Sequence, residues 1–350
     1  MNPTPIKRLS FEDAAEKAIS QRDVPEKDHV DLRSSFPAHE NLYDPPLRVL
    51  EFEHVIVNRH GFIKLKDGSI VTDIGYRHYA DPSAEHLHGL SFEDSSIPLI
   101  EDPVILVGGH NNYYHWHLNW MPRVTLADRF PALRSFKLLT HENPASYVIN
   151  SLEKTTNRTR EDMVQLKGPP RRAKRIFVPT FFMNPIHAPF VLDAYDHLRK
   201  KPDNGEGRRI YISRSKAPLR RVINDDEVAA MLESDYGFEC LNAEDLSYDE
   251  QVALFKNASV IISAHGAGLT NMIFASPGFS VIELMNDYYT KVYWSLCMAL
   301  GGRHYRQIAS KDCHLDSNEP DETQARKNAD FVVDLEALRR EVEFVIQTAE

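Results

Sequence analysis

Cysteine is scarce in this chain of 350 residues: Cys240, Cys297 and Cys313 make up the whole complement. An odd number cannot pair completely, and none of the three has metal-ligand spacing. A disulfide framework and a cysteine-ligated zinc are therefore excluded as organising devices, and a reducing compartment is expected. Long apolar runs are missing too. No stretch approaches the ~20 residues of a membrane-spanning helix, and no signal-type apolar region follows Met1. The expectation is a soluble, cytoplasmic protein, with peripheral association at the inner face of a membrane left open. Positive charge is in deficit, with 41 Lys and Arg against 51 Asp and Glu and a formal net charge of −10. That balance argues against a nucleic-acid partner.

Other signatures are absent in an informative way. Without Gly-Lys-Ser/Thr there is no P-loop, and without the third glycine of a dinucleotide fingerprint an NAD-dependent oxidoreductase is a weak candidate. No Asp-x-Asp sits at a strand end, so no metal site is expected. Asp225-Asp226 reads as the first turn of a helix, where carboxylates suit the helix dipole. His86 and His88, in the loop Asp81–Ser96, lack a third ligand at a supporting spacing and read as surface histidines. Asn157-Arg-Thr and Asn257-Ala-Ser match glycosylation acceptors but read as chance without a secretion signal.

What is present is an alternation of short apolar strands and helical segments over a length that fits two domains. Residues 1–46 read as a polar, proline-dotted N-terminal arm in which Ser10-Phe-Glu-Asp13 caps a short helix over Ala14–Ile19. From Leu47, the runs Val49–Val57, Gly61–Leu65 and Ser69–Thr72 predict antiparallel strands. Val104–Val107 predicts a buried strand, and Ser135–Leu139 and Arg175–Val178 two more, with a helix over Ala145–Leu152. Phe190–Leu198 reads as an amphipathic helix ended by the breaker cluster Arg199–Gly205, which sets a domain boundary after Pro202. Residues 47–202 and 203–312 are then the two domains, and 313–350 an acidic linker and terminal helix. In the second domain Arg209–Ile212, Phe238–Leu241, Val260–Ser263 and Ser280–Leu284 predict strands of a parallel, doubly wound sheet, with helices from Asn224 and over Tyr248–Lys256.

Two stretches carry the chemistry. In Gly108-Gly109-His110-Asn111-Asn112-Tyr-Tyr-His115-Trp116-His117-Leu-Asn119, an asparagine caps a helix running to about Arg129. At 100° per residue His115, Asn119 and Arg123 share a stripe, His117 falls about 200° from His115, and Pro122 should kink the helix. The alternative is a buried helix whose His115 is simply hydrogen-bonded. In Ser263-Ala-His265-Gly266-Ala267-Gly268-Leu-Thr270-Asn271, a strand enters a glycine turn and a helix start, a place for an anion. Glu283 ends the following strand. The basic cluster Ser213-Arg214-Ser215-Lys216 to Arg220-Arg221 follows another strand; by itself it is as readily a solvated loop.

Asn112-Tyr-Tyr-His115-Trp116, Arg209-Ile-Tyr-Ile-Ser213-Arg214, and Ser263–Asn271 with Val281-Ile-Glu283, in this order, resemble glycosyltransferase family 61 across roughly residues 45–310. The resemblance implies an α/β protein of GT-B type, with two Rossmann-like domains facing a central cleft and extra antiparallel strands near the N-terminus. It implies an inverting, metal-independent transfer of a sugar from a nucleotide sugar, expected to be a UDP-sugar, to a glycan acceptor such as a capsular or surface polysaccharide precursor, with no cofactor. Donor contacts would come from Arg214, Lys216, Arg220 or Arg221, from the turn His265, Gly266, Ala267, Gly268, Thr270 and Asn271, and from Glu283 on the ribose hydroxyls. Family members often carry Asp where this chain has Asn119, and an amide cannot take a proton. His115 is then the substitute base, with His117 second. A sugar-nucleotide-binding protein with little catalysis is the alternative.

Overall fold

The computed structural model describes residues 8–18, 20–23, 47–71, 73–74, 86–181, 189–199, 207–288, 290–315 and 319–348. Most of the expected arm and the breaker residues 200–205 lie outside them. The protein is a mixed α/β chain in two compact units, Met1–Ala194 and Tyr195–Glu350.

The first unit is built on β3 (Arg48–Val57), whose β-branched and aromatic residues are buried except at Glu53 and His54. It runs antiparallel to β10 (Arg171–Pro179), from Val57 opposite Arg171 to Val49 opposite Pro179. On one side of this pair the short strands β1 (Arg8–Leu9), β4 (Ile63–Lys64) and β5 (Ile70–Val71) continue the sheet, and β2 (Ser20–Asp23) pairs antiparallel with β3. On the other, β7 (Val104–Gly108), β8 (Lys137–His141) and β9 (Met163–Leu166) join β10 in parallel, while β6 (Leu99–Ile100) adds to β10. The antiparallel strands expected from residue 47 are therefore present, joined to a parallel half. Leu50, Phe52, Val55, Leu106, Leu139 and Ile176 lie in one core cluster. The short N-terminal helix is Phe11–Ala15, three residues earlier than the expected Ala14 start, because Ser10 Oγ accepts the Asp13 N–H at 3.0 Å and caps the chain directly.

The second unit has five parallel strands: β11 (Arg208–Ser213), β12 (Glu239–Asn242), β13 (Ala258–Ala264), β14 (Ser280–Met285) and β15 (His304–Ala309). Their order is β12-β11-β13-β14-β15. Counted within the unit this is 2-1-3-4-5, a doubly wound sheet whose topological switch lies between β11 and β13. Helices Asp225–Tyr236 and Tyr248–Lys256 start where the sequence predicts, the latter with a Ser247–Glu250 capping box. The acidic stretch before the terminal helix differs from expectation. It is not a linker, because β16 (Cys313–His314) pairs with β17 (Asp330–Phe331), and Phe331, Leu338, Val342 and Val345 are buried in this unit's core. The last three sit at i, i+4 and i+7 of helix Leu335–Gln347, the amphipathic terminal helix that was expected.

Candidate active site

In the first unit, β7 leads through Gly108 and Gly109 into a helix of mixed pitch: Tyr113–His115 is α-helical, Trp116–Trp120 is a π-helix, and Met121–Asp128 is α-helical again. Asn112 is the cap, its Oδ1 accepting the His115 N–H at 3.1 Å. The widened segment, in which the Met121 N–H reaches the Trp116 carbonyl, takes up Pro122, which has no N–H to give. The irregularity expected at the proline takes the form of a π turn just ahead of it.

His115 and Asn119 meet as predicted, with Nδ1 2.8 Å from Asn119 Oδ1. With that oxygen accepting, Nδ1 carries the proton and Nε2 keeps its lone pair. His115 is half-buried and Asn119 fully buried. His117 is brought elsewhere. It is fully buried against Tyr113, with ring centroids 4.5 Å apart, and burial pushes its imidazole down to about 3. Arg123 is also interior: its guanidinium donates to the carbonyls of Val107 and Ile74 and lies over Phe181. It fastens the helix to β7 and leaves His115 as the member of the row with exposed surface.

In the second unit, the carboxyl ends of β11 and β13 deliver Arg214 and the His265–Gly268 turn side by side. The 3-10 helix Ala267–Phe274 follows, in place of the expected α-helix. The Arg214 guanidinium covers Gly266, and Gly268 packs over Ile212. Arg214 Nη2 donates to the Leu219 carbonyl at 3.1 Å, but its Nε and that of Arg220 are buried without partners among the described residues. Burial is the main cause lowering both arginines' pKa, and for Arg214 the neighbouring Arg220 charge is next. Tyr293, fully buried with its phenol raised by desolvation, lies close to both and edge-on to His265. Arg220 holds a positive φ of 58°, uncommon for a side chain of its size.

The other cations of the cluster are occupied. Lys216 Nζ bridges both Asp245 oxygens at 2.5 Å, and Arg221 pairs with Asp330; both arginine and lysine are exposed. Asp225 accepts from Tyr211 and Ser213, so its carboxylate braces the end of β11. Glu283 has no exposed surface. One oxygen meets His265 Nδ1 at 2.7 Å, and the other accepts from Tyr305 and Gln307, both at 2.6 Å. A ribose could not reach it in this state; it holds His265 instead. Thr270 is buried beside Tyr293, and Asn271 Nδ2 donates to Gln251 Oε1. Ala267 is half-buried at the start of the 3-10 helix. Tyr293, Tyr305 and Gln307 were missed from the sequence. The last two are i and i+2 on β15, a period-2 signal that could have exposed them. Among the described residues no group of three or more His, Cys, Asp or Glu could hold a metal ion.

The Glycosyltransferase 61 family model matches residues 113–282, which bears out the resemblance carried by the motifs over that stretch. The chain is 31% identical over 133 residues to an EGF domain-specific O-linked N-acetylglucosamine transferase of Drosophila melanogaster, covering 37% of this chain and 25% of that protein. The Mus musculus protein of the same name is 29% identical over 33% of this chain and 22% of its own length. A beta-1,2-xylosyltransferase of Arabidopsis thaliana is 33% identical over 18% of this chain and 12% of its own. These matches therefore span about a quarter or less of each curated relative.

Proposed function

We propose that this chain, which carries a family-61 region, is an inverting glycosyltransferase of GT-B type that takes its donor in the second unit and activates its acceptor from the first. One observation carries the conclusion. Arg214 and Arg220, both half-buried and without an acidic hydrogen-bond partner among the described residues, sit at the sheet's topological switch, where open α/β sheets bind ligands. Two neighbouring half-buried cations repel each other and favour a polyanion between them. The diphosphate of a nucleotide sugar supplies it, and we take the nucleotide to be UDP.

The chemistry follows from the groups present. The acceptor hydroxyl gives its proton to His115 Nε2 while its oxygen attacks the anomeric carbon. The bond from that carbon to the diphosphate oxygen breaks, and the nucleoside diphosphate leaves with its charge met by Arg214 and Arg220. A single displacement inverts the anomeric centre. Two arginines can do the charge neutralisation a metal ion does elsewhere, so the proposal includes no metal and no cofactor. Glu283 and Tyr305 keep His265 fixed at the turn.

The relatives' names, an N-acetylglucosamine transferase specific for EGF domains and a xylosyltransferase, favour an acceptor within glycoproteins or glycans. A capsular or surface polysaccharide is a narrower choice within that class. Work in the cytoplasm belongs to the proposal and is supported by the three free thiols. Asn119, in place of the carboxylate common in the family, favours a second possibility, a sugar-nucleotide binder with little turnover. A panel of nucleotide sugars, assayed for transfer and hydrolysis, separates the two. A thermal shift with UDP, set against NAD, tests the donor class; stabilisation by NAD alone would overturn the proposal.

A further inference from the structure

The first unit holds a cavity of about 200 Å³ whose wall includes Arg59, His60, His110, Trp120, His141 and Glu142. These residues come from the turn after β3, the glycine turn after β7, the π segment and the end of β8. The cavity neighbours the base: the His110 and His115 rings stand at 89° with centroids 6.5 Å apart. Trp120 is 2% exposed, and its indole N–H has no partner among the described residues. Its neighbour Trp116, on the same helix, donates to Ser151 Oγ at 2.7 Å. A buried indole N–H usually finds an acceptor, so its lack in the wall of a cavity points to a ligand oxygen.

The hydrogen-bonding pattern narrows the ligand. Asn111 Nδ2 donates to the Asn143 carbonyl, which fixes the amide, so its Oδ1 faces both the Ala145 N–H and His141 Nε2. His141 is therefore the Nε2–H tautomer. His60 Nε2 accepts from Arg59 Nε at 3.1 Å, which leaves the proton on its Nδ1. Burial lowers His60 and His110 and pushes His141 down to about 4, so all three rings are neutral at pH 7. Arg59 and Glu142 cancel. The wall is thus uncharged overall and offers donors and acceptors in mixture. A phosphate or carboxylate would find no net positive charge, and an apolar group would leave the indole N–H unmet. Hydroxyl groups, each both donor and acceptor, match it. The volume equals roughly six or seven waters, room for about one sugar ring of a dozen heavy atoms.

We propose that this cavity is a subsite for one neutral pyranose residue of the acceptor, held beside His115 by Trp120, His110 and Glu142. The inference rests on the acceptor side lying in the first unit, as argued under the proposed function.

The test uses the full chain labelled with ¹⁵N, in which the three tryptophans give three indole signals, assigned with Trp120→Phe. The probes are the methyl β-pyranosides of glucose, galactose, xylose and N-acetylglucosamine, with methyl β-glucuronide and inorganic phosphate as the anionic set. At least one neutral glycoside is expected to move the Trp120 indole signal saturably with a Kd of order 1–10 mM, leaving Trp116 in place. His110→Ala and Glu142→Ala should weaken that response about tenfold while keeping the Trp116 signal and the UDP thermal shift. The proposal is overturned if no neutral glycoside moves Trp120 at about 50 mM, if only the anionic probes do, or if both variants respond unchanged. Silence at Trp120 with UDP binding intact sinks the subsite alone. A response at Trp120 with no UDP binding keeps the subsite and sinks the donor assignment.

Discussion

Arg214 lies directly on Gly266: a Cβ added to that glycine would come within 2.1 Å of Nη1 and 2.7 Å of Cζ. The glycine backbone is extended, with φ 168°, so a side chain is excluded by the arginine and not by backbone strain. The requirement is for Arg214 to reach the crevice. Gly266→Ala should therefore fold but push the guanidinium aside, weakening UDP binding by about tenfold or more, the worth of one or two charge-assisted hydrogen bonds. Calorimetric titration of UDP checks it, and an unchanged affinity would remove Arg214 from the donor site.

The same crevice ranks the four cations of the basic cluster. Arg214→Ala and Arg220→Ala should each lower UDP affinity by about 10- to 100-fold, whereas Lys216→Ala and Arg221→Ala should change it less than about threefold, since their charges are already met by Asp245 and Asp330 at the surface. Equal losses in all four would mean that diffuse attraction, not a built site, holds the nucleotide; repeating the titration at high salt separates the two.

Glu283 is expected to behave as a structural anchor. Replacing it with Ala leaves His265 and Tyr305 without their buried acceptor, while Gln307 keeps the Thr290 carbonyl, and should cost about 3–5 kcal/mol. Melting temperature and UDP affinity should fall together. A variant with native melting temperature and lost UDP binding would return Glu283 to the ribose role the sequence suggested.

Two buried neutral histidines make stability pH-dependent. In the unfolded chain His117 and His141 protonate near their ordinary pKa of about 6.5, while in the folded protein burial pushes them down to about 3 and about 4. Both folded values are depressed, so below pH 6.5 the unfolded chain binds more protons and stability falls as pH falls. The slope is about 1.4 kcal/mol per pH unit for each histidine, ending near the folded values. Urea unfolding at pH 7, 6 and 5 should show this. His117→Gln should be less stable at pH 7 yet show about half the slope; an unaltered slope would mean that other groups dominate.

The parallel core was legible because Val260–Ser263 and Ser280–Leu284 are apolar, short and bounded by turn residues, which is what strands buried on both faces look like. The helix Tyr248–Lys256 was legible from its position between two strands, though the Ser247–Glu250 capping box that starts it was not read. The His115–Asn119 contact was legible because four residues return to one helix face. What the residues between them could not show is that the turn is a π turn, since pitch is settled by how Pro122 and the buried Arg123 pack. The division of the basic cluster was also hidden: Asp245 and Asp330, which occupy Lys216 and Arg221, are 29 and 109 residues away. Glu283 was read as ending its strand, but β14 runs on to Met285, and its Tyr305 and Gln307 partners come from β15, whose alternating polar residues were not read as a strand.

The proposed base, His115, is the most consequential residue to test. Asn119 cannot accept a proton, yet its Oδ1 sets the tautomer of His115 so that Nε2 is the free lone pair. His115→Ala should then lower turnover by about 100- to 10,000-fold with UDP affinity and melting temperature near the wild type, because the ring is half-buried and packs no core. Asn119→Ala should cost less, about 10-fold, since the base is present but disoriented. Asn119→Asp keeps an acceptor facing Nδ1 and adds a charge that stabilises the imidazolium, so activity should be retained or raised. A His115 that only fastened the helix would give the opposite pattern, with melting temperature, donor binding and turnover declining together. Near-native turnover in His115→Ala would move the base off this helix altogether, because His117 is sealed in the core and held neutral.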